Sequence, residues 1–340
     1  DAAPKGNLSV SGQALAATGA RENGFTVLGP ALVSNAAAMT VVNARSFGYF
    51  GGGVGSPSPV STVDRVDYSN DTATASPKGP LSVARTFLVA TGNSFFGYFG
   101  GGEPSSTVDR IDYSNDTVDA PAKGPLSTAR SRLGATGNSS FGYFGGGLTG
   151  PGPSPVVSSG VDRVDYSNDT ATAASKGPLS LARKGPTATG NASFGYFGGG
   201  KEPSERTTVD RIDYSSDTGT TPTKGPLSSA RAYMGATGNA NFGYFGGGDN
   251  RSTVDRIDYS NDTATASPKG PLSVARMLLT ATGNTSFGYF AGGYPPSGGM
   301  STVDRIDYSN DTATAAVKGP LSRVTRNCGA SSAAANALPQ

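Results

Sequence analysis

Several sets of residues in this chain have types and spacings that could do chemistry. Asp64 and Asp67 place two carboxylates three residues apart, and paired carboxylates are the minimum equipment for general acid–base work. Asp67, Asn70 and Asp71 group oxygens of the kind that hold calcium. Asn70-Asp71-Thr72 is an N-glycosylation acceptor, and the same triplet recurs at Asn115, Asn168, Asn261 and Asn310. Further acceptors stand at Asn138, Asn191 and Asn284. Gly51-Gly52-Gly53 follows an apolar run as a phosphate loop would, and Arg65, Lys78 and Arg85 offer cations to an anion.

Each set also has an ordinary structural explanation. The carboxylate pair recurs six times with no distinctive neighbour, which describes a frame and not an active site. The calcium candidate lacks the Asp-x-Asp-x-Asp-Gly loop and a distal Glu, and Asn and Asp serve turns equally well. No Gly-Lys-Ser/Thr follows Gly53, and no helix opens there. With no His, Ser-His-Asp and Cys-His catalysis and His-ligated zinc or copper are excluded. Cys328 is the single cysteine, so it forms neither an intramolecular disulfide nor a multi-cysteine metal site. No enzyme activity, metal or cofactor is expected. A net charge of 27 − 25 = +2 gives no reason to expect nucleic acid as a partner. No run of eighteen apolar residues exists, so membrane insertion is not expected. The chain opens at Asp1 with neither Met nor a signal pattern, which suggests processing or excision from a longer product.

Stepping outward from these residues, the elements that carry them are repeated. Phe-Gly-Tyr-Phe-Gly/Ala-Gly-Gly begins at Phe47, Phe96, Phe141, Phe194, Phe242 and Phe287, at spacings of 49, 45, 53, 48 and 45. Val-Asp-Arg-Ile/Val-Asp-Tyr begins at Val63, Val108, Val161, Val209, Val254 and Val303. Lys-Gly-Pro-Leu-Ser begins at Lys78, Lys123, Lys176, Lys224, Lys269 and Lys318. The units run over about 29–77, 78–122, 123–175, 176–223, 224–268 and 269–317, with degenerate half-repeats at 1–28 and 318–340. Fifty Gly, 23 Pro and only 35% hydrophobic residues would suit disorder, but a regular unit of about 48 residues argues for a fold.

Within a unit the blocks read as short strands. Phe47 and Tyr49 share one face and Phe50 the other; Val63, Arg65 and Asp67 oppose Asp64, Val66 and Tyr68. Ser69-Asn70-Asp71 is a turn, Thr72-Ala73-Thr74 a small-residue strand, and 86–90 a further strand closed by Thr91-Gly92-Asn93. Four strands per unit predict an all-β chain: a β-propeller of four-stranded antiparallel blades.

The order of blocks resembles the kelch family. Gly79-Pro80-Leu81-Ser82-Val83-Ala84-Arg85, then Phe96-Gly97-Tyr98-Phe99-Gly100-Gly101, then Val108-Asp109-Arg110-Ile111-Asp112-Tyr113 follow that family's sequence of strands. The resemblance covers about 29–325 and implies a propeller. Asp71-Thr72-Ala73 stands where kelch repeats usually carry Asp-Thr-Trp. The near-identity of the copies is also similar to the repetitive kelch-like proteins of marine viruses and microbes. Six units leave 52 residues, about one further blade, so seven blades are favoured, one composite from both termini; six with loose tails is the alternative.

Each unit carries three acids and three bases, counting Arg326 as the displaced sixth arginine of its set, so the near-zero charge belongs to the unit. Arg65-type side chains are expected to bridge carboxylates or carbonyls of the neighbouring blade. What differs between units is the loop after the glycines: 54–60, 103–106, 148–159, 201–207, 249–252 and 294–300. These loops link the same two strands and are expected on one face, where Leu148, Lys201, Glu202, Glu205, Arg206, Asp249, Asn250, Arg251 and Tyr294 are the candidate binding residues. The expected function is a structural or adhesive propeller of a virion, appendage or cell exterior, binding a protein partner or further copies of itself. A carbohydrate-binding propeller and an intracellular scaffold of kelch type are the alternatives.

Overall fold

In the computed structural model, residues 46–55, 57–103, 105–150 and 155–333 are described. Secondary structure there is almost wholly β, in seven antiparallel sheets. Six are built around a Phe-Gly-Tyr-Phe strand, and the architecture is consistent with a β-propeller. The first sheet orders Gly329–Ser332, Phe47–Gly51, Val63–Asp67 and Ser76–Lys78. The third, fifth and sixth repeat that plan, beginning at inner strands Gly134–Gly137, Gly235–Gly238 and Thr280–Gly283. The second and fourth, with inner strands Val89–Gly92 and Thr187–Gly190, have three strands. A small seventh sheet joins Arg130–Ser131, Leu148–Thr149 and Val156–Val157.

The two missing outer strands have a covalent cause. In the first sheet Arg65 pairs with Ser76, whose N–H belongs to the ladder. Pro121 and Pro222 hold that position in the second and fourth sheets; Arg110 and Arg211 still donate to their carbonyls at 3.0 Å, but proline returns no N–H. Each edge therefore shrinks to a single bridge, Asp109 to Ala122 and Asp210 to Thr223. Two expectations also shift in position. The outer strand is Ser76–Lys78, because Thr72-Ala73-Thr74 is turned by the anchoring of Asp71, and the inner strand starts at Val89, because Phe87 has φ of 58°. Thr91 and Gly92 lie within that strand.

The composite sheet pairs the C-terminal strand with the first complete aromatic strand, Tyr49 opposite Ser331. The half-repeat at 1–28 lies outside the described residues. Strand Gly329–Ser332 packs against the inner strands of both the second and the sixth sheets, and the remaining inner strands pack in chain order.

Between successive sheets the same joint recurs. Tyr49 Oη donates to Asp116 at 3.0 Å, Arg65 bonds that carboxylate at 2.7 Å, and Lys78 lies 3.6 Å from it. Equivalent trios hold Asp169, Asp217, Asp262 and Asp311. Tyr289, Arg305 and Lys318 of the last unit hold Asp71 of the first. Stacked tyrosines follow the same cyclic order, from Tyr49 on Tyr113 at 4.9 Å to Tyr289 on Tyr68 at 4.6 Å. The fourth residue of the aromatic strand fills the same gap from the other side: Phe99 lies so close to Gly51 that a Cβ there would sit 2.8 Å from its ring. Without tryptophan, the cores between sheets are made from these Phe and Tyr residues with Leu81-type leucines.

Arg85, Arg130, Arg183, Arg231 and Arg276 are at most 3% exposed, and each pairs with the Val-Asp-Arg aspartate of its sheet at 2.6–2.9 Å. Their terminal guanidinium nitrogens also bond backbone carbonyls, while the Nε of each is buried without a hydrogen-bond partner among the described residues. The sixth member differs from expectation. Thr325 occupies that position, and Arg326 lies over the Tyr294 ring at 4.5 Å. Arg323 reaches the region instead and bonds Thr62. Asp64 is left with Ser322, and burial raises its pKa against the opposing pull of that serine and of Arg323.

Candidate functional site

The three residues after each buried arginine position are Thr86-Phe87-Leu88, Ser131-Arg132-Leu133, Lys184-Gly185-Pro186, Ala232-Tyr233-Met234, Met277-Leu278-Leu279 and Arg326-Asn327-Cys328. Their middle members share one conformation, with φ of 58°, 58°, 65°, 58°, 61° and 57°. For residues other than glycine this left-handed geometry costs about 1–2 kcal/mol each. The reason is a circle of backbone hydrogen bonds. Arg132 N–H donates to Phe87 O at 3.0 Å, Gly185 to Arg132 at 2.8 Å, and Tyr233 to Gly185 at 3.0 Å. Leu278 donates to Tyr233, Asn327 to Leu278 and Phe87 to Asn327, each at 2.9 Å. Six backbone groups thus face around the axis at the mouth enclosed by the inner strands. The side chains there are Phe, Arg, none, Tyr, Leu and Asn, in a chain whose frame barely changes from unit to unit.

Every variable loop is anchored to one of these triplets. Val54 bridges to Arg326, Lys201 to Lys184 and Tyr294 to Met277. Glu103 N–H donates to Thr86 O at 3.0 Å, Leu148 pairs with Ser131, and Asp249 accepts from Ala232 N–H at 2.6 Å. Loops and triplets therefore form one surface around the axial mouth. Sequence reasoning found the loops and missed the triplets; the signal was three divergent residues at a fixed offset after Leu-Ser, which continues as Leu-Ser-x-Ala-Arg in five of the six units.

The loop candidates divide on this surface. Lys201 bonds Glu205 at 2.6 Å, Glu202 lies 4.0 Å from Lys184, and Arg206 donates to the Glu202 carbonyl. Asn250 and Arg251 are exposed. Burial, reinforced by the Glu205 charge, raises the Asp249 carboxyl pKa. Tyr294 is half-buried beneath Arg326. Leu148 is a correction: it is 7% exposed, its strand being the central one of the small sheet, and the exposed apolar residue of that loop is Val156 at 66%. Arg132 stacks on Phe87 at 4.3 Å and pairs with Glu103 at 3.0 Å.

The acceptor asparagines Asn70, Asn115, Asn168, Asn261 and Asn310 are exposed, beyond the end of the Val-Asp-Arg strands that lies away from the loops. Turn chemistry accounts for their neighbours. Asp67 accepts from Ser69 N–H at 2.9 Å and from its hydroxyl at 2.6 Å, while Asp71 is committed to Tyr289, Arg305 and Lys318. Among the described residues no cluster of three or more His, Cys, Asp or Glu is placed to hold a metal ion, and no helix is long and apolar enough to cross a membrane. The Asp64–Asp67 pair is divided, with Asp64 buried against Ser322 and Asp67 in its turn. A scan against protein-family models and a search of curated proteins both gave no match.

Proposed function

We propose that this chain is a closed six-bladed propeller of kelch-like design, a non-enzymatic module that holds a protein partner or assembly neighbour on the face bearing its variable loops. The carrying observation is the convergence of two separate sets of unit-to-unit differences, loops and left-handed triplets, around one axial mouth. The cyclic hydrogen bonds and the Asp71 joint support six blades, with the C-terminal strand completing the first. Strained left-handed residues concentrate where function holds them. An exterior setting, on a virion, appendage or cell surface, suits the polar Gly-, Ser- and Thr-rich frame.

Amine-directed cross-linking of the source material, read by mass spectrometry, tests this reading. Lys184 and Lys201 stand on the variable face, whereas Lys78-type lysines are tied into the joints between sheets. Links to another polypeptide are expected from Lys184 and Lys201. Intermolecular links confined to Lys78-type lysines, or none at all, would contradict it.

A further inference from the structure

The variable loops 54–60 and 294–300 flank an open cavity of about 240 Å³, lined among others by Val54, Pro57, Tyr294, Gly299, Val324 and Arg326. Arg326 is half-buried, with its guanidinium over the Tyr294 ring at 4.5 Å. A ring face attracts the charge but supplies no oxygen acceptor to the N–H donors of the fork. Among the described residues no carboxylate or carbonyl bonds this guanidinium. The other cations of the variable face are matched. Arg132 pairs with Glu103, Lys184 with Glu202 and Lys201 with Glu205. Arg206 donates to the Glu202 carbonyl, and the Arg251 charge acts on Glu205 and Asp249. Neither loop beside Arg326 contains an acidic residue.

We propose that this cavity seats a glutamate side chain of a protein partner, its carboxylate bonded to the Arg326 guanidinium and its methylenes against Val54, Pro57 and Val324. The inference rests on the binding face proposed above and names the chemistry that one part of it takes. Charge complementarity selects the occupant. An arginine fork without an acceptor matches a carboxylate in charge and in planar geometry. Val324, 43% exposed, adds apolar surface for an aliphatic stem. A phosphate group would find no second open cation, because Arg323 bonds Thr62 and faces Asp64. A neutral sugar would leave Arg326 without a counter-charge. A small free carboxylate would pair with Arg326 but leave the apolar wall uncovered.

Arginine-directed modification of the full chain by phenylglyoxal, with the adduct at each arginine followed by peptide mass spectrometry, tests the proposal. The probes are N-acetyl-Gly-Glu-Gly-amide, the matching glutamine peptide, sodium acetate and inorganic phosphate. The glutamate peptide is expected to protect Arg326 saturably. The glutamine peptide should need about tenfold more for equal protection, the scale of one charge-assisted hydrogen bond discounted for exposure. Acetate and phosphate should protect less well than the glutamate peptide, and the exposed Arg251 should react at the same rate with or without it. Gly299→Leu adds a side chain beside Val324 within the cavity and should remove the advantage of glutamate over glutamine. No protection of Arg326, equal protection by glutamine, acetate or phosphate, equal protection of Arg251, or an undiminished advantage in Gly299→Leu would overturn the proposal. Should Gly299→Leu fail to fold, the four probes on the unaltered chain still decide. Absent protection of Arg326 alongside cross-links from Lys184 and Lys201 would remove this seat and leave the binding face standing.

Discussion

Asp71→Asn compared with Asp169→Asn measures whether the last unit holds the first. Asp169 joins adjacent units through Tyr98 at 3.0 Å, Arg110 at 2.7 Å and Lys123 at 3.3 Å. Asp71 offers the same geometry to Tyr289 at 3.0 Å, Arg305 at 2.7 Å and Lys318 at 3.2 Å, across more than two hundred residues of chain. Asparagine keeps one acceptor oxygen and removes the negative charge that faces two cations partly open to solvent. Hydrogen bonds to charged groups contribute about 1.5–3 kcal/mol each, and solvent screening of Arg and Lys discounts that. Each replacement should therefore cost about 2–4 kcal/mol. At roughly 2–4 °C per kcal/mol for a domain of this size, the melting temperature should fall by about 4–16 °C. Urea unfolding followed by tyrosine fluorescence gives the free energies. If the joints are equivalent, the two losses agree within about 0.5 kcal/mol. A cost at Asp169 with none at Asp71 would refute the cyclic arrangement.

Four further outcomes follow from the geometry. Thr325→Arg combined with Arg323→Val supplies Asp64 with the partner its five counterparts have, and should raise stability at pH 7 by about 1–3 kcal/mol, read by urea unfolding. Burial opposes ionisation of Asp217 and Asp262, but bonds from Tyr143 and Lys176, and from Tyr196, Arg211 and Lys224, outweigh it and lower both folded pKa values. Their stabilisation is thus complete above the ordinary Asp value near 4 and is lost as pH falls through the lower folded values; Asp64, raised in the fold, has the opposite sign. A pH series of melting temperatures should show the fall below about pH 4. Burial pushes the Cys328 thiol up to about 12, so a disulfide reagent at pH 8 should modify it only after unfolding. Gly124→Ala would place Cβ 1.8 Å from the Ala171 carbonyl oxygen and should cost more than about 3 kcal/mol, seen in thermal melts.

The aromatic and Val-Asp-Arg strands were legible because alternation of large and small residues is local, and Phe47–Gly51 and Val63–Asp67 fall where that alternation predicts. Attribution of Arg65 to the frame was legible for a similar reason: a charge present in every unit serves what every unit shares. The joining of units was harder to read. Asp71 could meet any of six equivalent tyrosines by sequence, and spatial order selects Tyr289. The left-handed triplets escaped because Phe87, Arg132, Tyr233 and Leu278 are not residues that announce positive φ; the hydrogen-bonded circle imposes it. The burial of Leu148, a candidate binding residue, was not legible because a loop insertion rich in Gly and Pro gives no sign of forming its own small sheet.

Imaging the native assembly at a resolution that orients individual chains tests the central claim most directly. The account predicts that the circle of Phe87, Arg132, Gly185, Tyr233, Leu278 and Asn327, with its surrounding loops, lies against a neighbouring polypeptide while the Ser-Asn-Asp turns face away. Chains found free of any neighbour, or attached through the Asn70-type turns with the axial mouth open to solvent, would contradict it.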